Sequence, residues 1–197
     1  MKFRAFEAAL IAAVIISVFC GFAFGEQEAL AESVIRLHVV ANSDSDEDQT
    51  LKYRVRDAVL KTAEDILDGA ENAKDAQKRL SERLSDIEKA AENAVAENGF
   101  HYNVTVTVGE EMFPTRDYET FALPAGNYTS LRVKIGEGGG KNWWCVCFPP
   151  ICTASAVKWE ESGLTDRQVM LITGDGADAE VRFFVIEAAE KIAGFFR

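Results

Sequence analysis

The chain has 197 residues, of which 48% are hydrophobic and 27% are charged, a composition typical of a folded globular protein. Acidic residues outnumber basic residues by 32 to 21, which gives a formal net charge of −11. A surface this acidic repels phosphate backbones and excludes a general nucleic-acid binder. With two histidines and four cysteines, the composition also argues against an enzyme that holds several metal ions.

The first 25 residues have the pattern of an export signal. Lys2 and Arg4 precede an uncharged run over 8–24, and small residues stand at Ala23 and Gly25. We expect cleavage after Gly25. An uncleaved anchor is the alternative, although the run is slightly shorter than the roughly 20 residues that span a bilayer. Residues 1–25 are therefore assigned to a signal peptide or N-terminal anchor, and residues 26–197 to one exported domain.

Hydrophobic periodicity predicts a strand, two helices, several strands and a final helix, in that order. The predicted strands lie over 33–41, 102–108, 128–135 and 142–148. The predicted helices lie over 47–67, 73–97 and 181–195. This order indicates an α/β (α+β) fold, in which a mixed or antiparallel sheet packs in two layers against two central helices and a C-terminal helix.

Two stretches imitate ligand-binding loops but lack the residues that such loops need. The acidic residues of 44–48 have calcium-loop spacing, yet Gln49 stands where that loop requires glycine, so we interpret them as the start of a helix. The glycine-rich run over 136–141 imitates a phosphate loop, but Ile135 replaces the first glycine and no helix follows. A flexible hairpin is the preferred interpretation. We therefore expect neither a cofactor nor a metal ion.

The histidines and cysteines do not form a recognisable catalytic motif. His38 and His101 both lie in or beside predicted strands, and no nucleophile elbow accompanies either of them. In an exported protein, a disulfide between Cys145 and Cys152 is the favoured use of these thiols. A catalytic thiol and a zinc ligand are the alternatives for Cys145. We predict no catalytic residue.

Polar and aromatic residues that no chemistry explains are candidates for partner binding. Arg36 and His38 share one face of the first predicted strand, and a structural role is the preferred interpretation of His38. Trp143 and Trp144 are neighbours on another strand and point to opposite faces, with Phe148 further along it. Exposed aromatic residues beside a glycine loop suit a partner contact, although core packing is the preferred interpretation of these side chains.

Two segments carry a more specific pattern. The first, Arg36–Val59, opens with Arg-Leu-His-Val-Val-Ala-Asn-Ser-Asp. The second, over 113–152, contains Phe-Pro-Thr, Leu-Pro-Ala-Gly-Asn-Tyr, Asn-Trp-Trp-Cys-Val and Phe-Pro-Pro. Both segments resemble the stage II sporulation protein R family. The family pattern favours Cys145 as the partner of Cys152, whereas Cys147 stands where the pattern has an ordinary apolar residue.

This resemblance implies a secreted signalling protein of endospore-forming bacteria, without catalytic activity of its own. Such a protein is made in the forespore and exported into the space between the two membranes that separate forespore from mother cell. There it is needed to activate a membrane-embedded aspartic protease, the sigma-E processing peptidase, which removes the inhibitory pro-sequence of the sigma E precursor. The candidate contact residues for this partner are Arg36, His38, Asn42, Asp44, Trp143, Trp144 and Phe148.

Two other functions are compatible with the sequence. One is an exported hydrolase of cell wall or peptide that uses His38 with Asp44, or a cysteine. The other is a passive scaffold at the septum, which would bind the protease without changing its activity.

Overall fold

The computed structural model describes residues 10, 11, 14, 25–151, 159 and 162–174. The hydrophobic N-terminal run, Cys152 and the predicted helix over 181–195 fall largely or wholly outside these residues. Among the described helices, none combines the length and the apolar character that a membrane crossing requires.

The secondary structure follows the predicted order with additions. The strands are β1 (Ile35–Val40), β2 (Val104–Phe113), β3 (Arg116–Asp117), β4 (Ala122–Leu123), β5 (Gly126–Ile135) and β6 (Asn142–Phe148). The helices are α1 (25–33), α2 (Asp46–Leu67), α3 (Ala73–Glu82), α4 (Leu84–Glu97) and α5 (Asp166–Thr173).

Residue contacts divide the chain into two compact units. The sheet unit consists of Ala31–Met112 and the described residues of Asn127–Leu164. The ribbon unit consists of Phe113–Gly126 and the described residues of Met1–Leu30 and Thr165–Arg197.

A mixed four-stranded sheet with the order β2-β5-β1-β6 forms the centre of the fold. Strand β1 pairs in parallel with β5 and antiparallel with β6, so that Leu37 lies opposite both Leu131 and Cys145. All six residues of β1 are buried, as expected for a strand with a neighbour on either side. The mixed sheet and its helices confirm the predicted α+β class.

Helices α2, α3 and α4 supply apolar residues to the core on one face of this sheet. Alternate residues of β1 meet apolar stripes of the helices there, which is why strand alternation and helical spacing are both visible in the sequence. The core includes Ile35, Leu37 and Val39 of β1, Val55 and Val59 of α2, Leu80 of α3, Ile87 and Ala91 of α4, and Leu131 and Val133 of β5. Full burial of each large aliphatic side chain contributes about 1.5–3 kcal/mol.

The predicted helix over 73–97 is two helices in the structure. The break lies at Arg83, whose φ and ψ of −113° and 22° are not helical, and whose side chain bonds Asp86. Leu80 and Ile87, one on each side of the break, are both completely buried. Neither glycine nor proline marks the break, so periodicity alone predicts one continuous helix.

The ribbon unit contains the short antiparallel pair β3–β4, the whole of helix α5 and residues 25–30 of α1. Arg116 lies opposite Leu123 in the ribbon. Helix α5 begins with a capping box in which Thr165 and Gln168 bond each other's backbone. The Gln168 amide also donates to the Ala29 carbonyl of α1 at 3.1 Å. These elements were not predicted, because segments this short carry little periodic signal.

Candidate functional site

The glycine-rich loop over 136–141 crosses the carboxyl end of β1. It joins β5 to β6, which lie on opposite sides of β1 and therefore about 10 Å apart. The predicted hairpin is thus wrong in one respect, since the two strands are not neighbours. Gly139 donates its N–H to the Asn42 carbonyl, and Gly140 donates to the Ala41 carbonyl, each at 3.0 Å. The backbone of the loop is therefore anchored to the chain that leaves β1.

Two side chains of the turn after β1 also bind this loop. The Asn42 Oδ1 accepts a hydrogen bond from the Glu137 N–H at 3.0 Å. The Asp44 Oδ1 accepts one from the Lys141 N–H at 2.7 Å. Both side chains were predicted as partner contacts, and in the structure both bind the loop of the same chain.

In the described part of the chain, no group of acidic, histidine or cysteine side chains has the arrangement of a metal site.

Asp48, in the first turn of α2, completes this arrangement. It is 3% exposed and accepts hydrogen bonds from Asn42 Nδ2 at 2.8 Å and from Ser43 Oγ at 2.6 Å. Burial disfavours its charged form, but the hydrogen bonds from Ser43, Asn42 and the Tyr102 hydroxyl outweigh burial and hold the pKa of Asp48 below its ordinary value. We call Asn42, Ser43, Asp44 and Asp48 the corner lock.

His38 is the centre of a second cluster, on the face of the sheet opposite to helices α2, α3 and α4. Its Nδ1 lies 2.9 Å from the Glu111 Oε1, and its Nε2 lies 2.9 Å from the Asn142 Oδ1. Its ring stacks on Trp144 with the centroids 3.7 Å apart. Cross-strand pairing explains the stack, because His38 lies opposite Trp144 in the β1–β6 register.

Two residues of β5 complete the surroundings of Glu111. The Ser130 hydroxyl donates to its Oε2 at 2.9 Å, and the Arg132 Nη1 lies 3.6 Å from its Oε1. We call His38, Glu111, Ser130, Arg132, Asn142 and Trp144 the histidine cluster.

The geometry of the histidine cluster differs from that of a nucleophilic site. In a serine hydrolase the hydroxyl bonds one nitrogen of the histidine and the acid bonds the other. Here Ser130 donates to the acid, and Asn142 lies against the second nitrogen of His38. The arrangement holds the half-buried Trp144 and the exposed Arg132 in place, which suits recognition of a partner.

The other predicted contact residues lie elsewhere in the sheet unit. Arg36 is completely buried, with its guanidinium carbon 4.9 Å from the centre of the Tyr128 ring. Trp143 lies on the helix side of β6, where its ring meets Tyr53 edge-on and Arg56 lies 4.7 Å from its centre. The two tryptophans thus point to opposite faces, as strand alternation predicts. The partner-binding roles of all these residues stay predictions.

Cys145 and Cys147 both project into the core on the helix side of β6, and both are buried. The predicted disulfide stays a prediction because Cys152 lies outside the described residues. The Cys147 Sγ lies 3.5 Å from the Ile35 carbonyl oxygen, to which the thiol donates. Burial, with a smaller contribution from neighbouring Cys145, raises the pKa of Cys147 to about 12.

We expect Cys147 to resist alkylation in the native chain. At pH 8 a thiol with this pKa is ionised to only about one part in 10⁴, and only the thiolate reacts with iodoacetamide. Mass spectrometry of the peptide that contains Cys147 checks this, after labelling with and without denaturant but without reductant. Modification only in denaturant is the expected result, with Ser85→Cys on exposed α4 as the reactive control. Equal labelling of Cys147 and of the thiol introduced by Ser85→Cys in the native chain would contradict this expectation.

Sequence reasoning missed Glu111, Ser130, Arg132 and Asn142. The prediction of β2 stopped at residue 108, whereas the strand continues to Phe113. Glu111 is an even number of residues away from the exposed Thr105 and Thr107, so it lies on the same face of β2 as they do. Continuing the alternation beyond residue 108 was therefore the signal that could have placed Glu111 on this face. Its pairing with His38, 73 residues away, depends on the strand order.

Comparison with known proteins identifies the family. The family model for stage II sporulation protein R matches residues 31–158, a range that contains both the corner lock and the histidine cluster. The protein of Bacillus subtilis (strain 168) named stage II sporulation protein R is 35% identical over 137 residues. That alignment covers 67% of this chain and 61% of the relative's length. No solved structure matches. The chain therefore belongs to the stage II sporulation protein R family.

Proposed function

We propose that this protein is a secreted signal that passes from forespore to mother cell during endospore formation. In this proposal it reaches the space between the two membranes and activates the membrane-embedded aspartic protease that processes the sigma E precursor. Family membership supports a role in sporulation. The export-signal pattern of residues 1–25 supports a site of action outside the producing compartment.

The observation that carries this proposal is the hydrogen bonding of His38. Glu111 and Asn142 lie within hydrogen-bonding distance of its two ring nitrogens, and the neighbouring serine donates to Glu111. A histidine held in this way positions Trp144 through their stacked rings and does not present a ring nitrogen to a nucleophile. The cluster therefore favours a binding surface over a reaction centre.

An activating ligand acts through differential affinity. It shifts the protease toward its active state only to the extent that it binds that state more tightly than the idle state. A difference of about 3 kcal/mol changes the population ratio roughly 150-fold. A surface of fixed shape loses less entropy on binding, and the hydrogen bond from Ser130 and the ion pair with Arg132 hold the Glu111 side chain of the cluster in place.

Replacing Trp144 with alanine should reduce processing of the sigma E precursor by at least about tenfold, because the central aromatic residue of an interface commonly contributes 2 kcal/mol or more. The measurement is an immunoblot of the precursor and the mature factor in sporulating cells that carry this chain as their only copy of the protein. Thermal unfolding and the secreted amount of the variant establish that it is folded and exported.

A matched pair of charge reversals separates recognition from general surface charge. Arg132 in the histidine cluster and Arg83 at the α3–α4 junction are both exposed, and each lies beside one carboxylate. Processing should fall with Arg132→Glu and remain unchanged with Arg83→Glu. If folded Trp144→Ala and Arg132→Glu chains both support full processing, the histidine cluster is not the contact surface. If processing proceeds without the chain, the proposed function fails.

A further inference from the structure

A groove between α2 and the end of β6 lies apart from the histidine cluster. Its volume is about 770 Å³, within the range of roughly 300–1,000 Å³ that is usual for binding pockets. Leu60 and Leu67 of α2 form one side, and Cys147, Phe148 and Pro149 form the other. Leu60, Leu67 and Cys147 are otherwise largely buried, so the floor of the groove is the apolar margin of the core.

The rim of this groove is acidic. Among the described residues that line it, Asp57, Glu64, Asp68 and Glu71 are acidic and Lys61 is basic. Asp57 is paired with Arg56 at 2.7 Å. No basic side chain in the described part of the chain forms an ion pair with Glu64, Asp68 or Glu71. Within the described residues, these three carboxylates thus have no ion-pair partner and lie above an apolar floor, and the nearby Arg79 bonds the backbone carbonyls of Asp68 and Gly69.

Charge complementarity and length define what this groove fits. The groove-lining residues from Asp57 to Asp68 extend about 16 Å along α2, at a rise of 1.5 Å per residue. An extended chain of about five residues covers the same distance. Apolar anchoring on the floor requires a large apolar side chain, and the rim requires cationic side chains on either side of it. An acidic or purely polar peptide satisfies neither condition.

We propose that this groove docks a basic peptide segment of a partner protein, with one apolar side chain on the floor and flanking lysines or arginines on the rim. The inference deepens the proposed function, because it names the chemistry of the partner segment that the chain holds. It also gives a role to Phe148, a predicted contact residue that is absent from the histidine cluster and lines this groove.

The test is a binding titration of the full chain with a blocked hexapeptide in which one phenylalanine is flanked by arginines and lysines. The same peptide with glutamates in place of the basic residues is the matched probe. We expect the basic probe to saturate below about 1 mM, at least tenfold more tightly than the acidic probe. Its affinity should fall with added salt, since screening at 1 M reduces the Debye length to about 3 Å.

Two adjacent carboxylates of α2 provide the variant and its control. Glu64 lines the groove, whereas the neighbouring Asp65 is exposed but does not line it. Glu64→Lys should weaken binding of the basic probe about tenfold, because it replaces an attraction with a repulsion. Asp65→Lys makes the same change in net charge and should leave the affinity within about twofold.

Equal effects of the two substitutions, or equal affinity for the basic and acidic probes, would overturn the docking inference. The precursor-processing assay keeps that failure separate from failure of the proposed function. If processing requires the chain but the probes bind alike, the docking inference falls and the proposed function stands. If the probes discriminate as expected while processing proceeds without the chain, the groove still docks basic peptides and the proposed function falls.

Discussion

The Asp48→Ala variant is expected to unfold with a free energy about 3 kcal/mol lower than that of the parent chain. The substitution removes the acceptor for Asn42 Nδ2 and Ser43 Oγ, which lie 2.8 and 2.6 Å from the Asp48 carboxylate. Hydrogen bonds to a charged group contribute about 1.5–3 kcal/mol each, and the two donors would be left without this acceptor. Urea denaturation followed by circular dichroism measures the difference.

The control for this change is Asp46→Ala, in the same turn of α2. Asp46 is exposed and interacts mainly with the helix dipole, so its loss should lower the free energy of unfolding by less than about 1 kcal/mol.

Acid unfolding gives an independent measurement of the role of Asp48. The folded pKa of Asp48 is lowered, so its stabilising contribution is present above its unfolded pKa of about 3.9 and is lost as the pH falls through the folded pKa. Asp48→Asn should therefore remove part of the acid sensitivity, and an unchanged profile would contradict this role.

The second large effect is expected at Gly140. A Cβ at this position would lie 2.2 Å from the carbonyl oxygen of Ser43, which belongs to the backbone of the corner lock. Because backbone atoms on both sides must move, Gly140→Ala should lower the free energy of unfolding by about 3 kcal/mol, the upper part of the range for overpacking. The same denaturation experiment measures it.

Gly139, one residue earlier in the same loop, is the matched control. A Cβ there would meet the Asn42 carbonyl oxygen at 3.4 Å, an ordinary contact distance. Alanine also restricts the unfolded chain, which offsets small losses, so Gly139→Ala should change stability by less than about 1 kcal/mol. Equal destabilisation by both substitutions would show that the loop does not depend on close approach to the turn after β1.

The elements that could be predicted are those whose signal is local. Helix α2 and strand β6 have the predicted bounds to within one residue, because a serine N-cap, regular apolar spacing and Pro149 mark their ends. The break at Arg83 has no local marker. The non-adjacent order of β5 and β6 was also missed, since a glycine-rich loop of six residues is equally compatible with a hairpin.

For the functional surfaces, the sequence predicts which residues have suitable chemistry but not which of them lie together. The sequence indicates that His38 and Trp144 need partners, but their pairing depends on which strands lie beside β1. Asn42 and Asp44 have the chemistry of contact residues, and their engagement with the loop over 136–141 is visible only in three dimensions. The groove along α2 was missed because helical periodicity explains Leu60 and Leu67 as core residues without showing where the core reaches the surface.

The position of β1 has a consequence for how the chain matures. This strand is the first of the sheet in chain order, yet both of its neighbours in the sheet come later in the chain, and His38 bonds Asn142 at a separation of 104 residues. Contacts between residues so distant form slowly, because a long loop must close before they are gained. In a polypeptide that emerges amino end first, β1 therefore has no strand to pair with until β5 and β6 have followed. For the secreted protein proposed above, such a delay would leave the chain unfolded during passage through a narrow channel, and the sheet would assemble on the far side.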